Sequence, residues 1–252
     1  MSLVKTEEEI TKLRQSGKIL ARIMKRLKVA AKVGVSLLEL EDLAKKMIAE
    51  ADSTPAFLGY RAEGARFPYP YAICSSLNAV AVHGKPSDYR LQSGDVLKLD
   101  LGVNYHGAIT DSATTVVLGR VDPKVGRLLK ITERALEAGI KAAKAGGTVG
   151  DIGFAVERVV TAGGMHVLEE LTGHGTGNIL HEDPTIYNFG QPGSGMELKE
   201  GMVLAIEPIT SIGTSAIIDL PDGSYETADK SVSAHFEHTV LVTKKAAEIL
   251  TA

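Results

Sequence analysis

Residues Leu91–Leu101 read LQSGDVLKLDL, and residues Leu198–Pro208 read LKEGMVLAIEP. Aligned without a gap, each has a polar, glycine-bearing turn, a short apolar run and then an acid, Asp100 in one and Glu207 in the other. A short apolar run after such a turn reads as a buried strand. A second pair precedes these: AAKVGVSLLEL at Ala30–Leu40 and AAKAGGTVGDI at Ala142–Ile152. Here the glycine, the Ser or Thr and the acid three residues later coincide, which is the pattern of a helix capping box. Two matched pairs in the same order predict a duplicated chain. The expectation is one domain over residues 1–252, built from halves at about 10–120 and 121–252, each lending a carboxylate to a shared central site.

The flanking sequence gives the elements. Ile10, Leu13, Gly17, Leu20, Met24, Leu27 and Ala31 step by three and four, one face of an amphipathic helix. Its other face is basic: Lys12, Arg14, Lys18, Arg22, Lys25, Arg26, Lys28 and Lys32. Ser36 caps a second helix with Leu40, Leu43, Met47 and Ile48 inward. Arg66 to Tyr71 reads as irregular, followed by strands near Val80–Val82, Val96–Leu101 and Thr114–Leu118. Asp122 and Pro123 open a helix to about Ala145, Thr148 caps the next, and strands return near Val203–Ile206 and Phe236–Val242. Helices alternating with hairpins predict an α+β fold with antiparallel sheet.

Charged residues stand where these strands end. Asp100 and Asp111 flank a hairpin whose turn residues are Gly102, Asn104 and Gly107; folding about Tyr105 and His106 sets the two acids across from each other. Taken alone, the pair also suits a turn-stabilising Asp at each end. His174 and His181 lie in GHGTGNILHEDP at Gly173–Pro184, Glu207 ends an apolar strand that Pro208 stops, and Glu237 opens the last strand. Carboxylates in apolar strands are costly unless neutralised. Two divalent cations would balance the four acids, and acids with one imidazole suit Mn, Fe, Co or Zn. The chain therefore reads as a metallohydrolase.

Composition narrows the classes. Hydrophobic residues make up 44% and charged residues 23% of 252, an ordinary globular balance. A net charge of −3 argues against DNA as a partner. Cys74 is the single cysteine, so no intrachain disulfide forms. No apolar run reaches a membrane span of about 18 residues, and the N-terminus lacks a signal-peptide core. These features predict a cytoplasmic protein without membrane contact.

Six segments, in order, carry a resemblance: NAVAVHG (Asn78–Gly84), KLDLG (Lys98–Gly102), TDSATT (Thr110–Thr115), GHGTGNILHEDP, AIEP (Ala205–Pro208) and FEHT (Phe236–Thr239). Together they resemble type I methionine aminopeptidase, the short bacterial form within peptidase family M24. The resemblance implies a pseudo-symmetric "pita-bread" fold and hydrolytic removal of initiator methionine from nascent chains and peptides, after deformylation, where the second residue is small. It implies that Asp111 and Glu237 bridge two divalent metals, that His174 and Glu207 complete one and that Asp100 chelates the other. Glu207 would act as general base, and His83 and His181 would bind substrate and stabilise the transition state. Cys74, Tyr69 and Phe67, with Tyr60, would line the methionine pocket. Asn78, Val80 and Ser233 fall where the family holds Na or K. The Asp222–Gly223 turn is followed by Ser224 and Tyr225, where relatives often carry Trp, so methionine selection is expected to be less strict.

The resemblance also implies a monomer. The basic face at residues 12–32 has two readings: a ribosomal contact near the emerging nascent chain, or a solvated helix face. The nearest rival activity is that of a Xaa-Pro aminopeptidase or prolidase. A non-catalytic binding protein on the same fold is the rival of another class; such proteins typically lack metal ligands, and all five are present here.

Overall fold

A computed structural model describes residues 2–62 and 67–252. Helices α1 (Glu7–Ala30) and α2 (Leu37–Glu50) lead into strands β1 (Thr54–Pro55), β2 (Ile73–Leu77), β3 (Val80–Val82), β4 (Val96–Tyr105) and β5 (Ala108–Val117). Helices α3 (Pro123–Ala142) and α4 (Val149–Ala162) then precede β6 (His166–Val167), β7 (Gly173–Gly175), β8 (Glu182–Ile186), β9 (Val203–Ile206) and β10 (Ile209–Ser211). The chain closes with β11 (Ile217–Asp219), β12 (Tyr225–Thr227), β13 (Ser233–His235), β14 (His238–Leu241) and β15 (Glu248–Ile249). Two helices followed by strands thus occur twice. Residues 67–72 form neither helix nor strand, as expected; Arg66, where that stretch begins, lies outside the described residues.

Both expected capping boxes form. Ser36 accepts from the Glu39 N–H while Glu39 accepts from the Ser36 N–H, and Thr148 and Asp151 repeat the exchange. Each helix pair covers its own strands. Leu20, Ile23 and Leu27 of α1 and Leu40 and Ile48 of α2 pack with Leu97, Leu99 and Leu101 of β4. Leu128, Ala135, Ile152 and Val156 of α3 and α4 pack with Leu204, Ile206 and Val240. Gly139 is needed for that closeness: a Cβ there would stand 2.9 Å from Val156 and 3.1 Å from Ile206.

Every paired strand among the described residues is antiparallel. β4 joins β1, β2 and β5, while the larger sheet has the order β15-β14-β9-β7-β8. β4 and β5 are both longer than expected. The sequence conceals the start of β5 because its buried residues are polar: Thr110, Asp111, Ser112, Thr114 and Thr115 are all 6% exposed or less.

Their partners lie across the sheet boundary. The Thr239 hydroxyl accepts from the Asp111 N–H at 2.8 Å and donates to Asp111 O at 2.7 Å. The Ser112 hydroxyl donates to Glu237 O, and Thr115 exchanges the same pair of bonds with the His235 backbone. These bonds join the first half of the chain to the second.

Candidate metal centre

The alternation of KLDLG sorts β4 into two faces. Leu97, Leu99 and Leu101 face the helices, while Lys98 and Asp100 face the other way. The hairpin turns at His106 and Gly107, both with positive φ, pairing Tyr105 with Ala108. The turn is therefore centred one residue later than expected. Asp111 faces Gly102 and Asp100 faces Ala113, so the acids are diagonal neighbours on one face rather than directly opposed.

Glu207 and Glu237 sit where two adjacent strands break. β9 pairs with β14 as far as Ile206 and His238, and β10 pairs with β13 from Ile209 and His235. The expected strand Phe236–Val242 thus begins two residues too early: β13 ends at His235, β14 starts at His238, and Glu237 lies in the break with Glu207–Pro208 facing it. A break leaves backbone groups to satisfy: Glu237 N–H donates to Ala113 O at 3.0 Å, and Asn188 donates to Glu207 O at 2.9 Å. His174 on β7 pairs with Ala205 on β9, which brings its ring beside Glu207.

All five expected ligands converge. Candidate ligand atoms of Asp111, His174 and Glu237 lie within 4.8 Å of one another, and so do those of Glu207, His235 and Glu237. His174 Nε2 is 3.5 Å from Glu207 Oε1. Its Nδ1 lies 2.9 Å from Gly175 O, so an Nδ1–H donated there leaves the Nε2 lone pair directed at the acids.

Charge is the conspicuous problem of this cluster. Burial pushes Asp111 up to about 7. Burial, then the Asp111 charge, lifts Asp100 well above the usual carboxylate range; burial and neighbouring acids do the same to Glu207 and Glu237. Asp100 Oδ1, Glu237 Oε1 and both His235 ring nitrogens are buried without a hydrogen-bond partner among the described residues. Four crowded acids with orphaned oxygens and an aimed imidazole fit divalent cations.

His235 was not foreseen. It is 1% exposed, and its Nε2 stands 3.2 Å from Glu207 Oε2 and 4.0 Å from Glu237 Oε2. The strand alternation of Ser233-Ala234-His235 could have flagged it, since Ser233 had been singled out two residues earlier.

The two other expected histidines form a rim. His181 is exposed, its ring 4.3 Å from that of His174 and its Nδ1 2.9 Å from the Tyr60 hydroxyl. His83 is exposed, holds φ +59, and lies 5.6 Å from the Tyr225 ring. Tyr225 follows the Asp222–Gly223 turn, so an aromatic does stand at the rim in the absence of Trp.

Cys74 pairs with Asp100 across β2 and β4 and packs with Phe57, Ile109 and Leu180, with Tyr60 and Tyr69 against them. Phe67 corrects the expected lining: it is 70% exposed and outside this cluster, and Phe57 supplies the ring instead.

The expected alkali-ion corner fares differently. The Ser233 hydroxyl lies 3.1 Å from Asn78 O and 3.4 Å from Val80 O as a donor, and Lys98 Nζ donates to Asn78 O at 2.7 Å. The three expected residues therefore do come together, with the Lys98 amine on the shared Asn78 carbonyl.

The profile of metallopeptidase family M24 matches residues 11–244. The chain belongs to this family. It is 37% identical over 252 residues to a methionine aminopeptidase of Clostridium perfringens, covering 100% of this chain and 99% of that one. It is 36% identical over 252 residues to methionine aminopeptidase 1 of Bacillus subtilis, with the same coverage. The crystal structure of methionine aminopeptidase from Rickettsia prowazekii superposes with a TM-score of 0.94 at 35% identity, covering 99% of both chains. Prolidase from Pyrococcus furiosus, 24% identical, gives 0.77 and is covered over 65% of its length; that likeness shows the shared pita-bread fold. The M24 chain is thus a metallopeptidase with buried His, Asp and Glu groups suited to metal. No helix among its described residues is long and apolar enough to cross a membrane.

Proposed function

We propose the residue roles by which this methionyl aminopeptidase removes N-terminal methionine. The observation that carries them is the buried set of four acids and His174 beneath an exposed rim of histidines. Asp111 and Glu237 would be shared between two divalent ions, with His174 and Glu207 holding one and Asp100 the other. The cluster of Asp111, His174 and Glu237, the 3.5 Å between His174 and Glu207, and the diagonal of Asp100 and Asp111 on one sheet face support this reading. When bound, the metals supply neutralising charge, Lewis-acid polarisation and an acidified water. Manganese, iron, cobalt and zinc all suit the donor set.

Glu207 takes the proton of the attacking water and returns it to the leaving amine. Its raised affinity for protons, from burial, suits that exchange. His181 donates to the carbonyl oxygen as charge develops there, and His83 holds the substrate backbone. The free α-amine is directed to the Asp100 end, beside the apolar wall of Cys74, Phe57, Ile109 and Leu180. An apolar wall with a thiol suits a flexible thioether. A formylated N-terminus lacks that amine and is refused.

The substrates are nascent protein and peptide N-termini with a small second residue, acted on by a monomer. The two helix-plus-strand units are read as duplicated halves, supported by the matched capping boxes. The basic face of α1 is read as a solvated surface, with Lys12 paired to Glu8 and Arg14 to Glu248.

The test is amino-acid release with added Mn, Fe or Co from Met-Ala-Ser, Met-Leu-Ser, formyl-Met-Ala-Ser, Leu-Ala-Ser and Ala-Pro-Ala. Release from Met-Ala-Ser alone, lost in Asp111→Asn, is the expected result. Release from Ala-Pro-Ala without Met-Ala-Ser would move the chain to the proline-specific branch, and no release under any metal would overturn the catalytic assignment.

A further inference from the structure

Lys98 is a buried amine that no step of the reaction uses. It points to the Asp100 face of β4 and is 1% exposed. A buried ammonium is expensive, and Leu or Met would fill the same space without that cost. Its partner shows what it does. Lys98 Nζ donates at 2.7 Å to Asn78 O, at the turn between β2 and β3.

That carbonyl is held rigidly. Asn78 has φ +52, its Oδ1 accepts from the Val96 N–H at 2.9 Å, and its Nδ2 donates to Asp95 at 3.2 Å. Asn78 O also accepts from the Ser233 N–H and the Ser233 hydroxyl, each at 3.1 Å. Three elements therefore meet on one oxygen: the β2–β3 turn, β4 through Lys98, and β13 through Ser233. β13 carries His235 and leads directly to Glu237.

An alkali ion could draw such elements together, because a cation collects carbonyl oxygens from separate segments. Here Lys98 Nζ already fills that side of Asn78 O at 2.7 Å, so an alkali ion would have to displace it. We propose that Lys98 Nζ takes the place of an alkali ion in this corner, as a tethered hydrogen-bond donor that fixes the turn and β13. On this assignment the protein needs neither Na nor K to hold His235 and Glu237 in position.

The test uses the full-length Mn-loaded protein in choline, sodium and potassium chloride at one ionic strength. Thermal midpoints are read by circular dichroism, and ²³Na linewidths are measured with potassium as competitor. The wild type is expected to show equal midpoints within about 1 °C and no displaceable sodium broadening. Lys98→Asn, which empties the corner, is expected to have a lower midpoint in choline and to regain about 3 °C or more, saturably, with sodium or potassium. Lys98→Arg keeps an N–H donor there and stays indifferent to the salt. A saturable alkali response by the wild type overturns the proposal. So does a folded Lys98→Asn whose midpoint is the same in all three salts. If Lys98→Asn does not fold in any of them, the wild-type arm decides alone: displaceable sodium refutes the assignment, and its absence supports it.

Discussion

Removing the metals should make the stability of this protein fall as pH rises through neutrality. Four buried acids face one another, and Asp111, ordinarily near 3.8, is pushed up to about 7. Asp100, Glu207 and Glu237 are also raised well above the usual carboxylate range, by burial and mutual repulsion. An acid with a raised pKa keeps its proton in the fold after its unfolded counterpart has lost it. Stability contributed in this way is present at low pH and is lost as pH rises, by about 1.4 kcal/mol per pH unit for each acid still protonated in the fold.

The histidines act in the opposite sense. Burial holds His174 near 4 and His235 near 3, so the unfolded chain binds more protons than the folded one below about 6.5. Their effect is to raise stability with pH, and it ends near 6.5. Between pH 7 and 8 the acids act against Lys98, whose ammonium burial disfavours and which offsets up to one of them, while Cys74, pushed well above its ordinary 9 by burial, adds little. For a chain of this size about 1 kcal/mol moves the midpoint by 2–4 °C. Each protonated acid should therefore lower it by about 3–6 °C over that one unit.

The chain has no tryptophan, so far-UV circular dichroism is the direct assay, on EDTA-treated and Mn-loaded samples. The loaded protein should lose little, because neutralised acids no longer need protons. A stripped protein whose midpoint is flat or rising from pH 7 to 8 would refute the claim that burial and mutual repulsion govern these acids.

Three further results are expected. His235→Leu should weaken Mn binding by roughly 10–100-fold in calorimetric titration, while His235→Gln, which keeps a polar group beside Glu207 Oε2, should stay within about threefold. Thr239→Val removes the hydroxyl that both accepts from and donates to the Asp111 backbone, leaving a buried N–H unpaired; urea unfolding should show a loss of about 1–3 kcal/mol. Gly139→Val places side-chain atoms against Val156 and Ile206 where a Cβ alone is already too close, so it should cost about 1–3 kcal/mol or more in the same assay without changing substrate choice.

How much of this was legible follows from which force fixed each element. The helices were read well because their signals are local: apolar steps at helical spacing, and caps three residues from their acids. The strands around the site were read short where they are long, or begun early where they are broken. The apolar reading of β5 starts only at Thr114 because Thr110–Ser112 bury hydroxyls and an acid. Those groups are satisfied by Thr239, Glu237 and each other's backbone, from the far half of the chain, and no local window contains that information. The joint at Phe236–Glu237 was missed for the same reason, since the strand ends there by changing partners rather than by any turn residue.

The same distinction separates the foreseen ligands from His235 and Lys98. Asp100, Asp111, Glu207 and Glu237 announce themselves because an acid in an apolar strand demands compensation. A neutral histidine or a lone lysine demands less, and each has an ordinary surface reading. What removes that reading is depth: both are 1% exposed, on strands whose alternation turns them toward the acids. Lys98 is buried two residues before Asp100, on the same face, so the strand that presents an acid to the candidate site also presents the amine that holds Asn78. One alternating strand thereby sets both the ligand and the loop behind β13, and a slip of β4 by a single residue would exchange Lys98 and Asp100 for the leucines that pack under α1 and α2.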